Sequence, residues 1–508
     1  MKTFAPNRGA DMDSVTPKGT EQWYLYALML LCAIAGSVYY AYLSAGHNWG
    51  DDFGAYLHLA KNLRMGRPYD YLTPEMGAMI PPGFPFVISV WSHFTGWDLL
   101  KLKTINVAAW LTLAIITYRL ARFYLTAPTS LAVGTAVLCC PFFIFAEQEL
   151  ISDMPYSVIS TLCLCLACGA SRSIGKWKRL ASYICLAAAI FVALLFRPAA
   201  VGLLAGLCGY LCYEALHRYL RTRSIDWHVA FGCVLLLLSA AIFVVVFPGP
   251  FKAHGANAVA NGHFYSLSVR SFEEFSNFEH LFLGFISSSW QPAVLLGIAL
   301  VGACAGAVSR KELTPLHFFA AVYGAMIILT PWDGGPRYLF PLAPVVFVFA
   351  GMFGEYTFKH FVPAWTGKAI AIIILSCLIF GGARQIVAAR GFSDDEITKP
   401  KVTELIQWIQ ANTGDKDSLC AFKPRAIMYL AQRRTLHIGF DPYAGTGSEY
   451  LRKMGCSYAV IPDKDALGGI YNRVQAQIAS DRTLRLVYDN SEFSVFVPVD
   501  ENHDQKGG

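Results

Sequence analysis

The sequence has few charged residues for its length. Asp, Glu, Lys and Arg make up 15% of its 508 residues, whereas hydrophobic residues make up 55% and the mean hydropathy is +0.42. Soluble globular domains carry about 25% charged residues, so this composition excludes an ordinary soluble protein. The net charge of +6 is small and lies mostly in short loops. It therefore indicates membrane orientation and argues against nucleic-acid binding.

Several motifs are also absent. There is no Gly-x-x-x-x-Gly-Lys nucleotide loop, and Gly445-Thr-Gly447 is too short a match. Of the fourteen cysteines, twelve lie in apolar segments, where cysteine behaves as a small hydrophobe, so they predict neither a disulfide framework nor a zinc site. Cys420 and Cys456 lie in a more polar region, where a disulfide is permitted. The first apolar stretch is longer than the core of a cleavable signal peptide and is typical of a signal anchor.

Long apolar segments dominate the first three quarters of the chain. They fall near 22–45, 83–97, 104–118, 130–146, 155–171, 180–196, 199–216, 229–247, 286–308, 315–330, 338–356 and 369–387. This pattern predicts an α-helical polytopic membrane protein, although several segments are shorter than the about 20 residues that a span needs. We expect a cytoplasmic tail over 1–21, a multi-span domain over 22–388 and an extramembrane domain over 389–508.

Basic residues predict the orientation of these segments, because Lys and Arg are retained on the cytoplasmic side. The clusters that we assign to that side are Lys2/Arg8/Lys18, Arg172/Lys176/Lys178/Arg179, Arg218/Arg221/Arg223, Arg310/Lys311 and Lys359/Lys368. The loops 46–82 and 248–283 and everything after 388 are then external. A cytoplasmic N-terminus and an external C-terminus require an odd number of crossings, so we expect about 11 transmembrane helices. One segment within 83–146 is then a half-span or lies along the interface.

The C-terminal region changes in character after residue 388, where charge rises and long apolar runs stop. A predicted amphipathic helix over 402–409 is followed by predicted strands at 418–422, 458–461, 485–488 and 493–497, with a helix over 426–431. This alternation predicts a small external α/β domain.

The first external loop holds adjacent carboxylates, Asp51 and Asp52, directly after an apolar segment. Such a pair could orient or deprotonate a hydroxyl or amine, or hold a cation, but it could also be a solvated loop with a helix cap. Tyr56, Leu59, Ala60 and Leu63 recur at helical spacing and predict a helix on the membrane surface. The proline-rich run 81–85 that closes the loop predicts non-helical backbone.

Four motifs together carry a family resemblance. They are Asp52 with Tyr56, Ala60, Leu63, Gly66 and then Pro81-Pro82-Gly83-Phe84-Pro85; Ser152-Asp153-Met154-Pro155; Phe196-Arg197-Pro198; and Pro336-Arg337-Tyr338-Leu339-Phe340-Pro341. Over about residues 45–350 the chain resembles GT-C glycosyltransferases of the branch that includes the dolichyl-phosphate-mannose protein mannosyltransferases and the bacterial lipid A aminoarabinose transferases. One position departs, because Phe53 stands where the protein mannosyltransferases have Glu.

The resemblance implies a GT-C fold and an inverting transfer of a sugar from a polyprenyl-phosphate carrier. The acceptor is then a lipid, polysaccharide or protein of the cell envelope, at the external face of the bacterial inner membrane. Acceptor binding or simple packing is the expected role of the C-terminal domain. Asp52 is the leading general base and Asp51 the second choice, since one carboxylate must accept the proton of the acceptor hydroxyl. Arginines that bind the lipid phosphate in bidentate fashion complete such a site.

The other candidate residues each keep an alternative. Asp153 could bind the acceptor, orient neighbours of Asp52 or bind a metal, but it could also cap a helix. Arg197 could bind a lipid phosphate, a headgroup or Asp153, and Arg337 is the preferred phosphate ligand unless it only snorkels to the interface. Further predicted contacts to the lipid phosphate or acceptor are Lys252, Tyr56 and Tyr338.

Metal binding and transport are the remaining alternatives. His254 and His263 lack the spacing of a zinc site, so we predict no metal residues and no certain cofactor, while a divalent cation stays open. The rival function is a polytopic transporter or lipid flippase whose Asp and Arg side chains line a substrate path. A transporter should show internal repeats, and the sequence shows no such symmetry. A non-catalytic assembly partner with the same fold is the third alternative.

Overall fold

Long helices make up most of the chain. The computed structural model describes residues 20–50, 52–69, 80–146, 148–173, 175–249, 291–310, 312–329, 336–361, 364–389, 396–438, 445–463 and 477–499. The helices before residue 390 are α1 (Thr20–Tyr42), α2 (Asp52–Arg64), α3 (Gly83–Thr95), α4 (Leu99–Ala121), α5 (Ala127–Leu138), α6 (Pro141–Ala146), α7 (Asp153–Arg172), α8 (Lys176–Phe196), α9 (Ala200–Thr222), α10 (Trp227–Val246), α11 (Gln291–Arg310), α12 (Pro315–Leu329), a 3₁₀ helix (Pro336–Leu339), α13 (Ala343–Phe361) and α14 (Ala364–Ala389).

Six of the described helices are long and apolar enough to cross a membrane, namely α1 from Gln22, α4, α7, α8, α9 and α10. Shorter apolar helices lie at Ala127–Leu138, Leu295–Val308, Pro315–Leu329 and Ser376–Ala388. The outer helices expose apolar side chains: α10 buries Leu236 and Phe243 against the protein but exposes Val234, Leu237 and Leu238. Apolar residues on both faces are typical of a helix that packs on protein on one side and on lipid on the other.

Contacts between helix termini show which termini lie together at each end of the bundle. At one end, Lys103 at the start of α4 donates to the Ser44 carbonyl after α1, and Tyr39 in α1 donates to the carbonyl of Ile144 in α6. At the other end, Arg172 at the end of α7 donates to the Phe123 carbonyl after α4. Helix α4 therefore runs the full length of the bundle, and α5 with α6 returns to the end at which α1 finishes.

Helix α3 is one of three short helices within 83–146, with α5 and α6. Its 13 residues are about 20 Å long, whereas the hydrocarbon core is about 30 Å thick. It buries Phe84 and Ile88 and exposes Phe86 and Phe94. Asp52 and Asp153 lie at the same end of the bundle, where the Tyr56 hydroxyl of α2 meets Oγ of Ser152. The proline run is helical in part: Pro81 and Pro82 precede α3, but Pro85 lies in its first turn, where proline is tolerated.

The C-terminal region forms a mixed sheet with helices on both faces. Its elements are α15 (Pro400–Asn412), β1 (Ser418–Ala421), α16 (Pro424–Ala431), β2 (Arg434–His437), α17 (Gly447–Met454), β3 (Tyr458–Pro462), β4 (Leu484–Asp489) and β5 (Phe493–Pro498). The strand order is β2-β1-β3-β5-β4, with β2, β1 and β3 parallel and β5 antiparallel to both neighbours. Strand β2 and helix α17 were not predicted from the sequence.

Alternation along the strands gives the sheet two apolar faces. Leu419, Ala421 and Val460 join the core that continues through α15 and α16 into the membrane helices. Cys420, Phe422 and Ala459 point to the opposite face, in a separate cluster that includes Leu451 of α17. The sheet is therefore packed against the membrane part by the face that carries α16.

The Cys420–Cys456 disulfide closes a loop of 36 residues on the α17 face. We expect the double variant Cys420→Ser, Cys456→Ser to lower the free energy of unfolding of this region by about 3 kcal/mol, because the unfolded chain regains loop entropy. Faster hydrogen exchange of the β1 and β3 amides in the full-length protein would measure this loss. Cys304→Ser, which changes an exposed cysteine outside any disulfide, is the control. Unchanged exchange in the double variant would contradict the prediction.

Candidate active site

A buried lysine binds the backbone of the segment between α1 and α2. Lys103 is fully buried, and its ammonium donates to the carbonyls of Ser44, at 3.0 Å, and Gly46. The Ser44 amide in turn donates to Oε1 of Gln148, at 3.0 Å. These bonds provide partners for the backbone amide and carbonyls that follow the last turn of α1. Buried backbone groups need such partners.

His47 joins this segment to the loop before α7. Its Nε2 accepts a hydrogen bond from the Leu150 amide at 2.9 Å, and its ring stacks on Phe53 with centroids 4.1 Å apart. Burial lowers the pKa of His47 to about 4, so the imidazole is neutral and Nε2 can accept. His47 is thus a structural acceptor that orients the start of α2.

Asp52 is the first residue of α2, where a carboxylate favours the helix dipole. Its Oδ2 accepts from Nη1 of Arg337 at 3.1 Å, and its Oδ1 accepts from Nη1 of Arg425. The side chains of Asp52, Arg337 and Arg425 are 22–36% exposed, so solvent reaches them although most of their surface is buried. Burial opposes ionisation of Asp52, but the charges of Arg337, Arg425 and Arg197 outweigh it and lower the pKa of the carboxyl.

A second ion pair lies beside the first. Asp153 starts α7 and pairs with Arg197, which follows the last residue of α8, and the Asp153 side chain is only 4% exposed. The Arg197 guanidinium lies 4.9 Å from the Tyr338 ring centroid, and that of Arg337 lies 5.9 Å from the same ring. Tyr338 therefore contacts both arginines through its π face.

Tyr56 and Glu149 complete the surroundings of the two pairs. The Tyr56 hydroxyl lies 3.0 Å from Oγ of Ser152, and its ring packs edge-on against Phe84 at 4.9 Å. Tyr56 thereby connects α2 to the residue before Asp153. Glu149 accepts from Nδ2 of Asn48 at 2.7 Å, and burial raises the pKa of its carboxyl.

The sequence-predicted residues converge, with two outside the described residues. Asp52, Tyr56, Asp153, Arg197, Arg337 and Tyr338 form one connected group, while Asp51 and Lys252 lie outside the described residues. Arg197 pairs with Asp153, which is one of the partners that the sequence left open. Among the described residues, no group of three or more His, Cys, Asp or Glu side chains is arranged to hold a metal.

Arg425 is the residue that sequence reasoning missed. It lies in Lys423-Pro424-Arg425, directly after a predicted strand. The available signal was topological, because ligand-contacting residues of open α/β sheets gather at the carboxyl ends of parallel strands. The sequence does not show that β1 pairs in parallel with β2 and β3. It therefore does not show at which end of the strands such residues gather.

The overall fold is similar to the folds of solved membrane glycosyltransferases. The fold matches ArnT from Cupriavidus metallidurans with a TM-score of 0.58 in the apo state, at 14% identity over 95% of this chain and 98% of that one. ArnT bound to undecaprenyl phosphate matches with a TM-score of 0.60, at 14% identity over 93% and 98% of the two chains. The chain has the GT-C fold.

A second enzyme is similar in fold. The apo oligosaccharyltransferase of Archaeoglobus fulgidus matches with a TM-score of 0.63, at 11% identity over 96% of this chain and 75% of that one. No family model and no curated protein sequence matches the chain. The GT-C fold that the sequence motifs implied is thus confirmed at the level of three-dimensional structure.

The buried pair gives a stability prediction. Arg197→Ala should destabilise the protein by about 3 kcal/mol, because it leaves the Asp153 carboxylate without its nearest cation in a buried position. Arg221→Ala is the matched control, since its pair with Glu312 is 45–49% exposed and should contribute less than about 1 kcal/mol. Thermal unfolding in one detergent compares the variants. Adding Asp153→Asn to Arg197→Ala should recover part of the loss, and equal effects of the two arginines would refute the argument.

Proposed function

We propose that this chain is a membrane glycosyltransferase that moves a sugar from a polyprenyl-phosphate carrier to a cell-envelope acceptor. The observation that carries the proposal is the pairing of Asp52 with Arg337 beside the Asp153–Arg197 pair, at one end of a GT-C bundle. Such a group offers a carboxylate for a proton and arginines for a phosphate. The ArnT structure that contains undecaprenyl phosphate supports a lipid-phosphate donor.

In the proposed reaction, Asp52 is the general base. The acceptor hydroxyl oxygen attacks the anomeric carbon as the bond from that carbon to the phosphate oxygen breaks, which inverts the configuration. The hydroxyl proton passes to the Asp52 carboxylate, and the polyprenyl phosphate leaves with its negative charge. Asp51 is the second choice of base. The bonds and charges in these steps balance without a divalent cation.

Arg337 is the preferred phosphate ligand and Arg197 the second, with Tyr338 between them. A bound phosphate brings negative charge close to Asp52 and draws Arg337 away from full pairing with it. Both effects raise the pKa of the carboxyl and make it a stronger base. Donor binding would in this way activate the base. Lys252 is a further proposed phosphate ligand, and Tyr56 and Asp153 are proposed acceptor contacts.

The proposed site faces the outside of a bacterial inner membrane. With α3 lying along the interface, α1, α4, the α5–α6 pair and α7 to α14 make 11 crossings, which suits a cytoplasmic N-terminus and an external C-terminal domain. The opposite end of the bundle carries Arg122, Arg172, Arg179, Arg218 and Arg221, as the positive-inside rule requires. The Cys420–Cys456 disulfide suits an oxidising compartment.

Transfer from a labelled polyprenyl-phosphate sugar pool tests the proposal in membranes that express matched amounts of folded protein. Asp52→Asn should lower the rate by about 100-fold or more, because the amide cannot accept the proton. Arg337→Ala should weaken binding of the donor, which would raise the KM for the donor. Asp98→Asn is the control, since Asp98 is a 45% exposed helix cap at the same end, and asparagine caps equally well.

Two outcomes would contradict the proposal. Full transfer by Asp52→Asn would exclude Asp52 as the base. No transfer by the wild type from any lipid-linked pool would favour the transporter or flippase, in which the same Asp and Arg side chains line a substrate path.

A further inference from the structure

The Asp52 carboxylate is shared between two parts of the chain that are far apart in sequence. One oxygen faces Arg337, which lies in the 3₁₀ helix of the membrane part, and the other faces Arg425, which lies in the first turn of α16. The sequence separations from Asp52 are 285 and 373 residues. Two charge-assisted bonds to separate oxygens leave a carboxylate little freedom to rotate.

The position of Arg425 is set by close packing of α16 on α2. A Cβ on Gly54 would lie 2.4 Å from the Arg425 carbonyl oxygen, so only glycine permits this approach of the two backbones. Met428 packs with Ala55 and Leu59 of α2 in one buried cluster. The sequence predicts α2 to lie on the membrane surface, but in the structure α16 and α3 cover it.

Aromatic contacts extend this docking surface along α2. Phe53 packs edge-on against Tyr429 with centroids 6.3 Å apart, and the Lys61 ammonium lies 4.5 Å from the centroid of the same Tyr429 ring. A second tether lies on the other side of Asp52, where Glu396 accepts from the Trp49 amide at 2.6 Å. The Glu396 amide also donates to the His47 carbonyl at 3.1 Å. The C-terminal region thus contacts the chain both before and after Asp52.

We infer that Arg425 is a positioning residue of the transfer site, supplied by the C-terminal domain, which holds Oδ1 of Asp52 so that the carboxylate stays aimed at the acceptor. The inference rests on the proposed function for its role in transfer. It also gives the C-terminal domain a part in the chemistry, because the site is complete only when α16 is docked on α2. Acceptor binding and packing, the roles expected from the sequence, do not require this contact.

The expected pH effect follows from the charges around Asp52. Among the described residues these are Arg337, Arg197, Arg425 and Glu149, with the Tyr56 hydroxyl also close. Asp52 acts as a base only when ionised, and the arginines lower its pKa. Removing one arginine therefore raises the pKa and moves the acidic limb of the kcat/KM profile to higher pH.

The first test compares Arg425→Gln and Arg425→Lys with wild type across pH. The Gln variant should lose about 10- to 100-fold in kcat through misplacement of the base, with its acidic limb about one pH unit higher and its donor KM little changed. The Lys variant keeps a cation and should restore part of both effects. Arg434→Gln removes the same charge from an exposed site in the same domain and should leave the limb in place. His437→Gln checks that this neighbour of Arg425 is not the group that titrates.

A second variant displaces Arg425 without changing any charge. Gly54→Ala forces α16 away from α2 and should move the limb in the same direction as Arg425→Gln. Gly324→Ala is its matched control, because no atom lies within 4 Å of a Cβ at that helical glycine. A normal limb in Gly54→Ala together with a shifted limb in Arg425→Gln would overturn the docking requirement.

A readout that needs no substrate separates this inference from the proposed function. Infrared titration of the protonated carboxyl band, assigned by its loss in Asp52→Asn, should give a higher pKa for Asp52 in Arg425→Gln than in wild type. If wild type transfers sugar but Arg425→Gln moves neither the infrared band nor the acidic limb, the role of Arg425 is overturned and the proposed function stands. A shifted band in a protein that transfers no sugar would overturn the proposed function and the role in transfer, while the contact itself would stand.

Discussion

Charged groups within a membrane protein need partners, and this requirement organises the end of the molecule that holds the candidate site. Asp52 and Asp153 each meet an arginine from another part of the chain, and Tyr338 lies against two of the arginines. An unpaired buried charge costs several kcal/mol, so the elements that carry these residues must come together. Asp52 and Asp153 meet at one end of the bundle, where the Tyr56 hydroxyl of α2 lies beside Oγ of Ser152.

The second constraint is steric. The C-terminal sheet continues the core of the membrane part through α16, and α16 meets α2 at Gly54 with no room for a side chain. The contact places Arg425 of the C-terminal region on the same carboxylate that Arg337 of the membrane part already contacts. A sugar transferase built in this way would couple the docking of its outer domain to the ionisation of its base.

The sequence motifs predicted much of the candidate site. Asp52, Asp153, Arg197 and Arg337 were expected on one external face from loop charges and from the family resemblance, and the structure brings them into one group. The motifs did not say which arginine pairs with which carboxylate, because each pair joins residues from distant elements. Arg425 was missed for the same reason: its neighbours on the chain are strand and helix residues, and only the docking of α16 aims it at Asp52.

Local chemistry determined the rest of what the sequence could predict. Apolar runs, loop charges and strand alternation act over a few residues, so they specified a helical membrane protein with a small α/β region at its C-terminal end. Strand β2 was decided by tertiary structure, because it is a short element stabilised by its neighbours. Helix α17 does carry local signals, since Thr446 and Glu449 form a capping box and Gly455 ends the helix. The length of α3 was not predicted, because it is apolar on both faces and its pattern resembles that of a span. The sharing of Asp52 between two arginines was likewise decided only by the fold, since no local pattern records a contact across 373 residues.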